Sequence, residues 1–248
     1  MERPYRCTAE YQIRTYEIDS RKQATVTALV KLMHETAMQN VIDMKLSVWD
    51  LEPRQISWVL MKKYVNIDRL PRLGEKITVE TYPAGFEKFF TFRDYKVYDA
   101  GGRLIAHSGS TWLLMDTLTR RMTRIPDFIL EYGPAIEAYG DFLPRPQGKL
   151  PAMERVDHRL GFRVYWHDLD FNQHLNNTYY VQWMLEAVPP HLLQSGQLRS
   201  LDILYRLECH WQQEVIAETQ QLNEGEFLHR LVLAEDGREV ASAKTEWM

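Results

Sequence analysis

No feature of this sequence limits its fold as tightly as an internal repeat. Near the middle stands "DAGGRLIAHSGSTWLLM" (99–115), and the chain closes on "AEDGREVASAKTEWM" (234–248). Gly102-Arg103 aligns with Gly237-Arg238, Ile105-Ala106 with Val240-Ala241, Ser110 with Thr245 and Trp112 with Trp247. Upstream, "ITVET" (77–81) aligns with "VIAET" (215–219). Further upstream, "YEIDSRKQATVTALVKLMHETA" (16–37) aligns with "YWHDLDFNQHLNNTYYVQWMLEA" (165–187) if a small insertion is allowed. Three matches in the same order indicate a duplicated unit of roughly 100 residues.

Each copy has one layout. An extended segment ("EYQIRTYEI"; "HRLGFRVYW") precedes a helical one. Leu29, Leu32, Met33, Thr36, Ala37 and Asn40 recur at helical spacing in the first copy, and Tyr179, Tyr180, Trp183, Met184 and Ala187 in the second. Strand-like runs follow: "ISWVLMKKYVNI", "KITVETYPAGF", "FFTFRDYKVYD" and "RLIAHSGSTWLLMD", then "SLDILYRLECHW", "VIAETQQL", "FLHRLVLAED" and "REVASAKTEWM". Turn signals such as "LPRLGE", "DAGG", "NEG" and "EDG" separate them. One long helix followed by antiparallel strands is an α+β pattern, in which a curved sheet wraps the apolar stripe of the helix. The expected domains are 1–138 and 156–248, joined by a Pro- and Gly-rich linker at 139–155.

Composition excludes several classes. A net charge of −4 argues against a nucleic-acid binder. Two cysteines, Cys7 and Cys209, make no disulfide framework and fit a reducing cytosol. The N-terminal stretch has early charges and no apolar core, so no secretory signal is expected. No run approaches 18 apolar residues, so neither is a membrane span. No metal signature or phosphate loop occurs, and no cofactor is expected.

The copies differ sharply at one place. The first enters its helix through "DSRKQATVTALV", ordinary polar residues that include a Thr to cap it; the second enters through "DLDFNQHLNN". Asn176 or Asn177 would suffice to cap that helix. The rest of the cluster is then surplus, and its chemistry suits acyl transfer. A helix N-terminus offers N–H groups to an oxyanion, an imidazole moves protons near neutrality, and a carboxylate orients it or activates water. In an extended lead-in, Asp170, Asn172 and His174 would share one face. A second cluster, "YRLECHWQQE" (205–214), places Glu208 and Cys209 on opposite sides of a strand. Cys209 reads as a nucleophile or a small core residue, and Glu208 as a water-activating base. His210 carries no assigned role.

These residues resemble the acyl-acyl-carrier-protein thioesterases of plant plastids and their bacterial relatives. "DLDFNQHLNNTYYVQWMLEAVP" is similar to that family's D-L-D-x-N-x-H-[VL]-N-N-x-x-Y-x-x-W-x-x-E-x-x-P, "LYRLEC" to its YRREC segment, and "WLLMDTLTRRMTRIPD" to a further stretch. Leu207 departs from the pattern, where the family has a second Arg. The resemblance implies a tandem double hotdog fold and hydrolysis of fatty acyl thioesters on acyl carrier protein. It also implies functional positions at Asp170, Asn172, His174, Glu208 and Cys209, with either a Cys nucleophile or a carboxylate-based arrangement. The acyl chain is then expected in the first unit, along Met33, Ala37, Trp49 and Trp58. An acidic carrier protein calls for a basic docking patch, for which Arg120, Arg121 and Arg124 are the candidates, with Lys62, Lys63, Arg69 and Arg72 behind them. The plant proteins carry an N-terminal extension that is absent here, so a bacterial, cytoplasmic protein is expected, with a homodimer left open. Two alternatives stand beside this reading: a coenzyme A thioesterase of the same fold, and a non-catalytic acyl-binding module.

Overall fold

The duplication is plain in the strand order. A computed structural model of the chain describes residues 5–145 and 149–248. The chain divides into two compact units, Met1–Arg145 and Pro146–Met248. The division falls within the expected 139–155 linker, of which residues 146–148 lie outside the described residues.

Unit 1 comprises β1 (Cys7–Gln12), α1 (Val26–Asp43), α2 (Val48–Leu51), β2 (Ile56–Ile67), β3 (Lys76–Glu87), β4 (Phe90–Asp99), β5 (Leu104–Asp116), β6 (Met122–Thr123), α3 (Asp127–Leu130) and α4 (Gly133–Tyr139). Its main sheet runs β1-β3-β4-β5-β2, every neighbour antiparallel, with β6 paired to the end of β5. Unit 2 comprises β7 (His158–Arg163), α5 (Asn177–Glu186), α6 (Pro190–Ser195), β8 (Leu198–Tyr205), β9 (Glu214–Gln221), β10 (Glu226–Leu233) and β11 (Glu239–Trp247). Its sheet runs β7-β9-β10-β11-β8, the same order element for element.

The repeated Gly-Arg pairs have a backbone cause. Gly102 and Gly237 sit in the β4–β5 and β10–β11 hairpins at φ 77 and φ 72, a left-handed conformation that glycine adopts without steric cost. In each turn an aspartate, Asp99 or Asp236, accepts the N–H of the following arginine.

α1 is capped by Thr25, whose hydroxyl accepts Ala28 N–H at 3.0 Å, and all six residues of its expected stripe are buried. The second helix is shorter than the first, 10 residues against 18. Pro189 and Pro190 stop it, because proline cannot continue the hydrogen-bond ladder. Residues 141–145 do not behave as a free linker. Asp141 is ion-paired with Lys96, Leu143 N–H donates to Asp94 at 2.8 Å, and Arg145 pairs with Asp94. Among the described residues no helix is long and apolar enough to cross a membrane, which says nothing of membrane-crossing strands.

Candidate active site

Both units reach their helix through the same turn. In unit 1, Asp19 N donates to Gln23 O at 2.8 Å and Lys22 N to Asp19 O at 3.0 Å. Asp19 Oδ1 accepts the N–H groups of Arg21 and Gln23 at 2.9 and 3.2 Å, and Lys22 takes φ 63. In unit 2, Asp170 N donates to His174 O at 2.8 Å and Gln173 N to Asp170 O at 3.0 Å. Asp170 Oδ1 accepts from Asn172 and His174 at 2.8 and 3.3 Å, and Gln173 takes φ 61. Asp19 thus corresponds to Asp170 and Gln23 to His174 with no residue inserted between them, which corrects the expected alignment. It also corrects the extended lead-in: Asp170 and His174 close a tight turn instead of alternating along a strand.

The twin turns separate structure from chemistry. An aspartate braces the turn in both, so that task of Asp170 belongs to the fold. Burial pushes the Asp170 carboxyl up, and the two N–H groups it accepts work against that rise. Only unit 2 carries Asn172 and His174, where unit 1 has Arg21 and Gln23. The helix cap differs in identity but not in role, since Asn176 Oδ1 accepts Thr178 N–H at 3.0 Å. One of the N–H groups at the helix start, where an oxyanion was expected to be met, is thus taken up by the cap.

His174 Nε2 lies 3.4 Å from Glu208 Oε2, both side chains partly exposed. Beside them opens a cleft of about 460 Å³ lined by Trp166, Leu169, Asn172, Gln173, His174, His210 and Trp211. His210, to which the sequence reading gave no role, bridges His174 through the backbone and packs edge-on against its ring, centroids 5.0 Å apart. Its place on the Glu208 side of the segment was the available signal. Trp166 and Trp211 meet at 5.3 Å, leaving two largely exposed indoles at the cleft.

The segment carrying Glu208 is held by a residue that the sequence marked only by its helical spacing. β8 ends at Tyr205, so residues 206–209 lie beyond the strand in which they were expected. Tyr180 Oη donates to Leu207 O at 3.0 Å and accepts Cys209 N–H at 3.0 Å, gripping the chain on either side of Glu208. The equivalent α1 residue is Leu29, which has no such handle. Tyr180→Phe removes both bonds, each worth about 1 kcal/mol. The expected result is a kcat lowered about tenfold with KM retained, and a melting temperature lower by only a few degrees. Unchanged kcat would leave Tyr180 a packing residue.

Cys209 is fully buried and does not line the cleft. Burial pushes its thiol up, only partly offset by Tyr180, which disfavours the thiolate a nucleophile needs. Cys209→Ala is therefore expected to turn over within about threefold of wild type, whereas loss of a nucleophile would cost orders of magnitude.

The remaining expected positions are scattered. Met33 and Ala37 are buried on the inner face of α1, and Trp58 is half-buried with Nε1 donating to Leu46 O at 3.0 Å. Trp49 is 68% exposed, so it does not floor an interior tunnel: a Ser47–Asp50 capping box starts α2 there and turns Leu51 inward instead. Arg120, Arg121 and Arg124 are exposed on and just after the β5–β6 turn, with Arg120 at φ 57. Two secondary docking candidates fall away. Lys63 is fully buried, and Arg69 is taken up by Glu75 and Asp99 at 2.7 and 2.8 Å.

Comparison with known proteins places these features in a family. The model of the acyl-ACP thioesterase N-terminal domain matches residues 4–132, and that of the C-terminal domain residues 152–248. A chloroplastic acyl-[acyl-carrier-protein] hydrolase of Cuphea viscosissima is 32% identical over 253 aligned positions, covering 96% of this chain. The chain spans only 61% of that relative's length. Among solved structures, the 12:0-ACP thioesterase of Umbellularia californica superposes with a TM-score of 0.87 at 26% identity, covering 98% of this chain and 97% of its own. An acyl-ACP thioesterase of Bacteroides thetaiotaomicron superposes with a TM-score of 0.84 at 22% identity over 98% of each chain, a likeness of fold.

Proposed function

This chain belongs to the acyl-ACP thioesterase family, whose double hotdog fold it has, and from that premise we propose that its second unit hydrolyses the thioester joining a fatty acyl chain to acyl carrier protein, releasing free fatty acid. The observation that carries this reading is the His174–Glu208 pair beside an open cleft, on a turn whose twin in unit 1 lacks that chemistry.

In the proposed reaction the thioester carbonyl enters the cleft and the Asn172 side-chain amide donates to its oxygen. His174, held against Glu208, takes a proton from water as that water attacks the carbonyl carbon. The tetrahedral intermediate collapses, the C–S bond breaks, and the imidazolium returns the proton to the leaving phosphopantetheine thiolate. Asp170 braces the turn, and Cys209 packs. Met33, Ala37 and Trp58 are the proposed contacts of the acyl chain.

The three exposed arginines at 120, 121 and 124 are the proposed landing site for an acidic carrier. Such docking weakens as salt screens it, over a Debye length of about 10 Å at 0.1 M. Matched assays with one acyl group on carrier protein and on coenzyme A test both claims. The reading expects faster turnover of the carrier-bound substrate and a steep loss of that advantage with ionic strength. Equal rates on both carriers, flat with salt, would favour the coenzyme A alternative.

A further inference from the structure

Two tryptophans stand in water at the cleft of unit 2. Trp166 and Trp211 are 59% and 52% exposed, and their rings meet at 5.3 Å and 78°, edge against face. The fold does not ask for them. Trp166 opens a single turn of 3-10 helix, Trp166–Asp168, whose unit 1 twin, Thr15–Glu17, opens on a threonine. Trp211 follows His210, which bridges His174 as Arg72 bridges Gln23, so the twin of Trp211 is Leu73. The indole pair is thus confined, like Asn172 and His174, to the unit that carries the proposed chemistry.

Elsewhere the chain spends its indole N–H groups internally: Trp58 donates to Leu46 O, Trp112 to Ser110 Oγ and Trp247 to Thr245 Oγ1. Among the described residues Trp166 and Trp211 make no such bond, which leaves their N–H groups for a ligand. A thioester whose carbonyl lies at His174 runs out of the cleft in two directions. Its hydrocarbon side gains most from full burial, which indoles more than half exposed cannot supply. Its carrier side has other needs. The pantetheine arm bears amides and a gem-dimethyl group, and its far end is tied to a carrier too large for a cleft of about 460 Å³, so it must run outward through solvent. Indole faces cover the methyl groups and the amide planes, while indole N–H groups donate to the amide carbonyls. Gln173, on the same cleft, adds a side-chain amide of matching chemistry.

We propose that Trp166 and Trp211 form a subsite for the pantetheine arm of the substrate and so determine specificity on the carrier side of the thioester bond. The inference rests on the hydrolase reading of unit 2, but its test reads binding without turnover, so the two can fail separately.

The test is calorimetric titration of the full chain with S-octyl-pantetheine and with S-octyl-N-acetylcysteamine, both below their aggregation limits. These thioethers cannot be hydrolysed and share one alkyl chain; the second keeps only the start of the arm. Wild type should bind S-octyl-pantetheine about tenfold more tightly, the scale of one aromatic anchor. The double variant Trp166→Thr, Trp211→Leu installs the unit 1 residues at both positions. Both side chains are more than half exposed, so its melting temperature is expected within a few degrees of wild type. It should bind the two probes alike, having lost about tenfold on S-octyl-pantetheine alone. A wild type without preference, whether both probes bind or neither does, would overturn the proposal, and that comparison needs no variant. So would a double variant that keeps the preference. Octanoyl-pantetheine assayed for hydrolysis by wild type separates the two readings: no turnover with the preference intact removes the hydrolase and leaves the subsite standing.

Discussion

The His174→Ala protein is expected to keep its fold and lose its turnover, kcat falling about 100- to 10,000-fold on an acyl carrier-protein substrate. Imidazole is the side chain suited to proton transfer near neutral pH, and that of His174, one of two in the cleft, lies 3.4 Å from the Glu208 carboxylate. Its backbone holds the turn through His174 O and N–H, which alanine retains. The ring is partly exposed, so its loss leaves no sealed cavity, and a melting shift of no more than a few degrees is expected. Turnover close to wild type would place the chemistry elsewhere.

Glu208→Gln is expected to cost about 100-fold in kcat with little change in KM. Glutamine preserves the size of the side chain and its reach to His174 Nε2, but it cannot carry the charge that supports an imidazolium. The Tyr180 grip on Leu207 O and Cys209 N is backbone-directed and survives the change. In the proposed reaction the pair acts as a unit, so the double variant His174→Ala, Glu208→Gln should be barely slower than the worse single one. Multiplicative losses would mean that the two residues work independently.

How far the sequence disclosed this arrangement depended on the kind of signal. Strand identity and order were legible because turn residues bound each run: β2 matches the expected "ISWVLMKKYVNI" end for end. The buried stripe of α1 was legible because helical spacing survives in residues such as Leu29, Met33 and Ala37. What a one-dimensional pattern cannot carry is a turn closed by its own side chain. The alternation of Asp170, Asn172 and His174 suggested a strand face, yet Gln173 in a left-handed conformation folds the segment back on itself. The same limit hid Tyr180, whose ring reads as helix stripe while its hydroxyl serves a distant segment. Lys63 misled for a related reason. Next to Lys62 it reads as surface charge, but β2 alternates, and one of two adjacent lysines had to face inward.

The central claim is that the turn of unit 2 carries the hydrolytic chemistry and its structural twin in unit 1 does not. The most direct measurement compares steady-state hydrolysis of acyl carrier-protein thioesters by Asn172→Ala, His174→Ala and by the matched unit 1 variant, Arg21→Ala, Gln23→Ala. The account predicts that the first loses turnover and the second keeps it. Undiminished hydrolysis by the first variant would contradict it.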